Sequence, residues 1–115
     1  MIKRTLRRFP HAIRGFSYAL INDFSFRTQF YGGGVVVGLL LWLLPTITPQ
    51  ELLLLFFGWG LLLITELQNS AIEAALDKLH PELHPAIKQS KDMAASAVLV
   101  AGFLFTGIVI TLIVS

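Results

Sequence analysis

Residues 49–79 read PQELLLLFFGWGLLLITELQNSAIEAALDKL, and this segment sets the architecture of the chain. Its apolar part, residues 52–65, has no charged side chain, but it is shorter than the roughly 20 apolar residues that span a bilayer. The helical pattern continues through polar positions until His80-Pro81, where proline ends it. The segment is therefore predicted to be one long helix with an apolar half and a half that carries a polar stripe.

Helix-capping residues precede this helix, and an apolar segment lies on either side of it. Thr48 is the predicted N-cap, Pro49 takes the first helical position and Glu51 closes a capping box. Uncharged segments at residues 30–47 and 93–115 lie on either side, and Pro45 should end the first of them. We predict three transmembrane helices, at residues 28–45, 49–79 and 85–115.

The N-terminal residues 1–25 have a different pattern. Apolar side chains recur every three or four residues, and basic side chains mostly lie between them, which is typical of a helix in the membrane interface. Pro10 should kink this helix or mark its start. The apolar positions are Ile2, Leu6, Phe9, Ile13, Phe16, Leu20 and Phe24.

Composition supports a membrane protein. Of 115 residues, 55% are hydrophobic and only 14% are charged, whereas about 25% are charged in a soluble domain. The absence of cysteine excludes disulfides and thiolate chemistry. The net charge of +2 alone would suggest nucleic acid as a partner, but the apolar content favours anionic lipid. The predicted fold class is an all-α integral membrane domain, residues 1–115, with a surface helix and three transmembrane helices.

Loop charges predict the orientation. All nine Lys and Arg residues lie before residue 30 or between residues 78 and 91, and the loop at residues 45–51 has none. The positive-inside rule therefore puts the N-terminus in the cytoplasm and the C-terminus outside.

The polar stripe of the long helix is the candidate site. Glu66, Asn69, Glu73 and Asp77 fall within an arc of roughly 80°. A carboxylate near the hydrocarbon edge is expensive, so we interpret the stripe as a cation site, and oxygen ligands of this kind suit Mg²⁺. The alternative is a set of interfacial charges that hydrogen-bond between helices.

Other side chains are predicted at the same membrane depth. Asp23 precedes the first span, while Lys91 and Asp92 begin the third. The alternatives are a solvated helix-end carboxylate for Asp23 and a snorkelling anchor for Lys91. His80 and His84 are four residues apart, but Pro81 and Pro85 argue against a zinc site there.

Several motifs resemble the prokaryotic diacylglycerol kinase family, which includes undecaprenol kinases. The main match is ELQNSAIEAALD at residues 66–77, followed by ELHP at 82–85 and AIKQSKDMAASAVL at 86–99. Weaker matches are HAIRG at residues 11–15 and NDFSFR at 22–27. Together they cover most of the chain, in order and with the family's spacing.

The resemblance implies a homotrimer that transfers the γ-phosphoryl group of ATP to a lipid hydroxyl at the cytoplasmic face of a bacterial inner membrane. It implies that Glu66 is the general base, with Asn69 beside it, and that Asp23 and Glu73 are Mg²⁺ ligands. Further positions are implied to contact the nucleotide. These are Arg4, His11, Asp77, Glu82, His84, Lys91 and Asp92.

Two questions stay open at this level. Position 23 is usually Glu in the family and is Asp here, and the substrate is either undecaprenol or diacylglycerol.

The alternative function is a small ion- or proton-translocating subunit, which would also justify intramembrane acids. Its polar groups should occupy several depths, whereas the outer halves of the three predicted spans are almost entirely apolar.

Overall fold

The computed structural model describes residues 1–79 and 84–115, and every regular element in them is an α-helix. The all-helical class predicted from the sequence is confirmed for these residues. The helices are α1 (Ile2–Asn22), α2 (Phe24–Leu43), α3 (Pro49–Leu79) and α4 (Pro85–Val114). Helix α1 continues through Pro10, so this proline does not mark the start of the helix.

A single extended residue, Asp23, separates α1 from α2. Its side chain accepts a hydrogen bond from the backbone N–H of Phe26 at 3.3 Å, which caps the N-terminus of α2. Arg27, in the first turn of α2, reaches back across the break. Its guanidinium donates to the backbone oxygens of Leu20 and Ile21 at the end of α1, at 3.3 Å and 2.8 Å. Carbonyl groups at the end of α1 are thus satisfied by a side chain of α2, and an amide at the start of α2 is satisfied by the residue in the break.

The connection between α2 and α3 has the local structure that the sequence predicted. Helix α2 ends at Leu43, two residues before Pro45. The Thr48 hydroxyl accepts from the Glu51 amide at 3.1 Å, and the Glu51 carboxylate accepts from the Thr48 amide at 2.9 Å. The predicted capping box is therefore confirmed, and α3 begins at Pro49.

Helices α2, α3 and α4 share a small apolar core. Leu55 and Leu62 contribute from α3, Ala101 and Phe105 from α4, and Val37 from α2. At Gly58 the backbones of α3 and α4 come close, because an added Cβ would lie 2.8 Å from Ile108 Cδ1 and 3.2 Å from Phe105 Cδ1. This glycine therefore sets how closely α4 packs on α3.

An aromatic cluster ties α1 and α2 to α3. Phe16 of α1 meets Phe26 and Phe30 of α2 edge to face, with ring centroids 5.2 Å and 5.6 Å apart. Phe30 in turn lies 5.8 Å from the ring of Trp59 on α3. The Trp59 indole also packs on Gly33, where a side chain would collide with the ring. The cluster holds the α1–α2 break beside α3.

Among the described residues, α3 and α4 are long and apolar enough to cross a membrane. Helix α2 does not reach that standard, and the polar residues Arg27, Thr28 and Gln29 lie in its first two turns. Large apolar side chains face outward, including Trp42 (78% exposed) and Phe103 (68%), as expected of a surface that meets lipid or another chain. The third span, through α2, stays a prediction.

We expect Gly58→Val to weaken the packing of α4 on α3 by about 1–3 kcal/mol, because the added methyl groups overpack a closed contact. Gly60→Val is the matched control on the same helix, since a Cβ there meets no atom within 4 Å. Thermal unfolding in detergent, followed by circular dichroism, measures both. Equal losses in the two variants would contradict the assigned contact.

Candidate active site

One face of α3 changes character along its length. Leu55, Gly58, Leu62 and Glu66 are its buried residues and follow one another at intervals of three or four. The stripe that packs into the core in the first half of the helix therefore continues into the acidic stripe of the second half. Glu66 is only 5% exposed and is the one charged or polar side chain that is buried among the described residues.

The break between α1 and α2 brings a second carboxylate to this face. Asp23 is half-buried, and its Oδ2 accepts a hydrogen bond from the Ser70 hydroxyl on α3. Its other oxygen, Oδ1, caps α2. Asp23 is therefore not the solvated helix-end carboxylate that was the alternative from sequence, because both of its oxygens have protein partners.

Three carboxylates lie together without a basic partner. Asp23 and Glu73 both act electrostatically on Glu66. Within residues 1–79 and 84–115 the ion pairs are Lys88–Asp92 and Lys91–Asp77, and neither includes these three acids. Because like charges at short range repel, this group is a place where a cation would be strongly stabilised.

Asn69 adds a neutral oxygen to the same stripe. Its Oδ1 is buried and has no hydrogen-bond partner among the described residues. Buried polar atoms are normally satisfied, so an amide oxygen of this kind is suited to a donor or a cation that comes from outside the chain.

The donor set fits Mg²⁺, with substrate completing the coordination. The described residues contain no group of three or more His, Asp or Glu side chains that would enclose a metal on their own. Mg²⁺ is usually bound through one or two carboxylates, with waters and substrate phosphates as the other ligands. Asp23 and Glu73, beside the unsatisfied Asn69 oxygen, are a set of that size.

The start of α4 places two lysines near the acidic half of α3. The Lys91 ammonium pairs with Asp77 across the two helices. Lys88 pairs with Asp92 one turn along α4 at 3.2 Å, and both side chains are 65% exposed, so this pair contributes little to stability. The predicted nucleotide contacts Lys91, Asp77 and Asp92 are thus charge-paired in the free chain.

The remaining predicted nucleotide contacts are exposed or lie outside the described residues. Arg4 and His11 are exposed on α1, where the His11 ring contacts the Arg14 guanidinium at 2.6 Å. His84 caps α4, because its Nδ1 accepts from the Ala86 amide at 3.1 Å. Glu82 lies outside the described residues.

An apolar groove of about 590 Å³ lies between α1 and α3 and reaches Asp23. Small side chains of both helices keep it open. Its lining residues are Ala12, Gly15, Phe16, Tyr18, Ala19, Asp23, Leu67, Ser70, Ala71 and Ala74. An apolar groove that ends at a carboxylate has the character expected of a site for an amphiphile.

Sequence reasoning missed Ser70 and Lys88. Ser70 is four residues after Glu66 and three before Glu73, so it lies on the acidic face by helical spacing. Only that spacing could have drawn attention to it. Lys88 had the i,i+4 spacing to Asp92 that makes a helical ion pair.

We expect Glu66→Gln to raise the free energy of unfolding, on the order of 1 kcal/mol, because a buried amide is less costly than a buried carboxylate without a basic partner. Glu51→Gln is the matched control, since Glu51 lies in the capping box and glutamine can serve there. Thermal unfolding in detergent checks both. A clear loss of stability in Glu66→Gln alone would mean that the Glu66 carboxylate has a stabilising partner.

Comparison with known proteins gives consistent matches over most of the chain. The family model described as prokaryotic diacylglycerol kinase matches residues 10–114. The diacylglycerol kinase of Escherichia coli is 33% identical over 98 residues, which cover 85% of this chain and 79% of the relative. That of Pseudomonas aeruginosa is 34% identical over 100 residues, covering 87% and 80%. The undecaprenol kinase of Bacillus subtilis is 31% identical over 99 residues, covering 86% and 79%. On this match the chain belongs to the prokaryotic diacylglycerol kinase family.

Proposed function

We propose that this lipid kinase transfers the γ-phosphoryl group of ATP to the hydroxyl of a membrane lipid at the cytoplasmic interface. Family membership supports lipid phosphorylation. The observation that carries the finer proposal is a group of three carboxylates, Asp23, Glu66 and Glu73, at the end of the apolar half of α3, with no basic partner in the part of the chain that the structure describes. Such a group lies where a lipid hydroxyl and a water-soluble nucleotide can meet.

Glu66 is the proposed general base. Its position at the end of the buried stripe of α3 supports this role, because a base must reach a hydroxyl whose lipid tail stays in the apolar region. The carboxylate accepts the hydroxyl proton as the lipid oxygen bonds to the γ-phosphorus and ADP leaves. Asn69, one turn further along, is proposed to orient one of the reactants through its amide.

Asp23 and Glu73 are the proposed Mg²⁺ ligands. Their charge, and the lack of a basic partner among the described residues, supports this assignment. When bound, Mg²⁺ neutralises charge on the phosphoryl oxygens and orients them for transfer. Asp23 belongs to the α1–α2 break and Glu73 to α3, so both parts of the chain would have to be in place before the ion binds.

The proposed nucleotide contacts surround the start of α4. An ammonium group has three donors, so Lys91 can keep its bond to Asp77 and still donate to a phosphate oxygen. His84 is proposed to contact the nucleotide through Nε2, since Nδ1 is used in the cap. The other proposed contacts are Arg4, His11, Glu82 and Asp92.

The proposed setting is the bacterial cytoplasmic membrane, with three spans and α1 on the cytoplasmic surface. The exposed apolar side chains Ile2, Leu6 and Phe9 on α1 support interfacial binding of this helix. The proposed assembly is a homotrimer, and the large apolar surface of the single chain leaves area for contacts between copies.

The lipid is proposed to be diacylglycerol or undecaprenol, the two acceptors in the names of the relatives. Both combine a hydroxyl with long apolar chains, so the groove beside Asp23 and the position of Glu66 suit either. Offering the two lipids separately, with labelled ATP and Mg²⁺, decides between them.

Purified protein in lipid bilayers should transfer label from γ-labelled ATP to one of these lipids. Glu66→Gln should reduce the rate by about 10²-fold or more, because the step loses its general base. Glu51→Gln is the control and should remain active, since Glu51 lies at the other end of α3. If neither lipid is labelled and the protein carries a proton or ion flux that Glu66→Gln abolishes, the result would support the translocating subunit instead.

Asp23→Asn should raise the Mg²⁺ concentration needed for half-maximal activity by about tenfold, because an amide oxygen is a weaker ligand than a carboxylate. The amide oxygen can still cap α2, so protein yield and thermal stability should change little. A Mg²⁺ titration at fixed ATP measures the effect. An unchanged titration would remove Asp23 from the set of metal ligands.

A further inference from the structure

The Ser70 hydroxyl is used differently from other hydroxyl groups of these helices. A serine or threonine inside a helix commonly returns its hydroxyl to a carbonyl of the preceding turn. Thr111 does so, donating to Gly107 O at 2.8 Å, and so does Ser90, donating to Ala86 O at 3.1 Å. Ser70 instead donates across to Asp23 Oδ2, which belongs to the break between α1 and α2.

Ser70 also has a particular position on α3. It lies four residues after Glu66 and three before Glu73, so its side chain is on the face that carries both acids. The hydrogen bond from this point joins the Asp23 carboxylate to the face of α3 that carries Glu66 and Glu73, although like charges favour separation.

The two oxygens of Asp23 are held by different parts of the chain. Oδ1 is fixed by the backbone N–H of Phe26, and Oδ2 by the Ser70 hydroxyl. A carboxylate offers about four lone-pair sites, so each oxygen can still bind a cation. Aspartate has one fewer rotatable bond than glutamate, and the two hydrogen bonds restrict the carboxylate further.

We propose that Ser70 is a positioning residue that holds the Asp23 carboxylate in place for a divalent cation and its nucleotide. The inference rests on the proposed function and extends it, because Ser70 is assigned to act through Asp23, to which its hydroxyl donates. A structural role alone would lower stability, whereas the positioning role changes the cation concentration that the site needs.

The test measures cation binding directly. Mn²⁺ is titrated against the full-length protein in lipid nanodiscs with a non-hydrolysable ATP analogue, and free Mn²⁺ is followed by electron paramagnetic resonance. Ser70→Ala should weaken Mn²⁺ binding about tenfold, as expected for loss of a hydrogen bond to a charged group. Ser70→Thr keeps the hydroxyl and should restore binding to within about twofold.

Two further variants complete the design. Thr111→Val is the matched control, since its hydroxyl is used within α4 at the opposite end of the molecule, and it should bind Mn²⁺ normally. In the Asp23→Asn background, Ser70→Ala should have little further effect on Mn²⁺ binding, because the two residues act through one hydrogen bond. If Ser70→Ala does not fold, Ser70→Cys replaces it, since a thiol has similar size and is a weak donor.

The outcomes separate this inference from the proposed function. Equal Mn²⁺ affinity in wild type and Ser70→Ala, or additive losses with Asp23→Asn, would overturn the role of Ser70. A wild type that binds Mn²⁺ and the analogue but phosphorylates neither lipid would contradict the proposed reaction, while the Mn²⁺ affinities would still decide the role of Ser70. Kinase activity adds a second measure: Ser70→Ala should raise the Mg²⁺ concentration needed for half-maximal activity, and Ser70→Thr should bring it back toward the wild-type value.

Discussion

Repulsion among three carboxylates, which have no basic partner within residues 1–79 and 84–115, is the constraint around which the described structure is organised. Glu66 is buried at the end of the core-facing stripe of α3, and both Asp23 and Glu73 act on it. Without a cation this arrangement opposes folding, since the charges of Asp23 and Glu73 add to the cost of burying Glu66. Its persistence requires that other contacts hold the acids together.

Those contacts lie at the α1–α2 break. Arg27 and the Asp23 cap satisfy the two helix ends, and the aromatic cluster from Phe16 to Trp59 fixes the break against α3. On the other side, Lys91 and Asp77 join α4 to the acidic half of α3. Apolar packing and local hydrogen bonds thus stabilise a group of charges that is unfavourable by itself, a pattern typical of functional sites.

Local features of the structure followed from the sequence. The helical class, the capping box at Thr48 and Glu51 and the end of α2 before Pro45 depend on short-range chemistry, and all three predictions are confirmed. The family resemblance is also confirmed. The shared face of the acids on α3 was predictable for the same reason, because residues on one helix are related by a fixed periodicity.

The contacts between helices did not follow from the sequence. The bond from Ser70 to Asp23 and the pair of Lys91 with Asp77 depend on the axial register of two helices, and periodicity within one helix does not contain that register. The cap at His84 was missed because the residue had been assigned to nucleotide binding. The third span and the homotrimer involve lipid and further copies of the chain, and both stay predictions.

Anomalous X-ray scattering from Mn²⁺ in crystals grown with a non-hydrolysable ATP analogue tests the central claim most directly. We expect an anomalous peak within coordination distance of the Asp23 and Glu73 carboxylates, with Glu66 beside the γ-phosphate. A metal bound only by phosphates, with Asp23 and Glu73 turned away from it, would contradict the account.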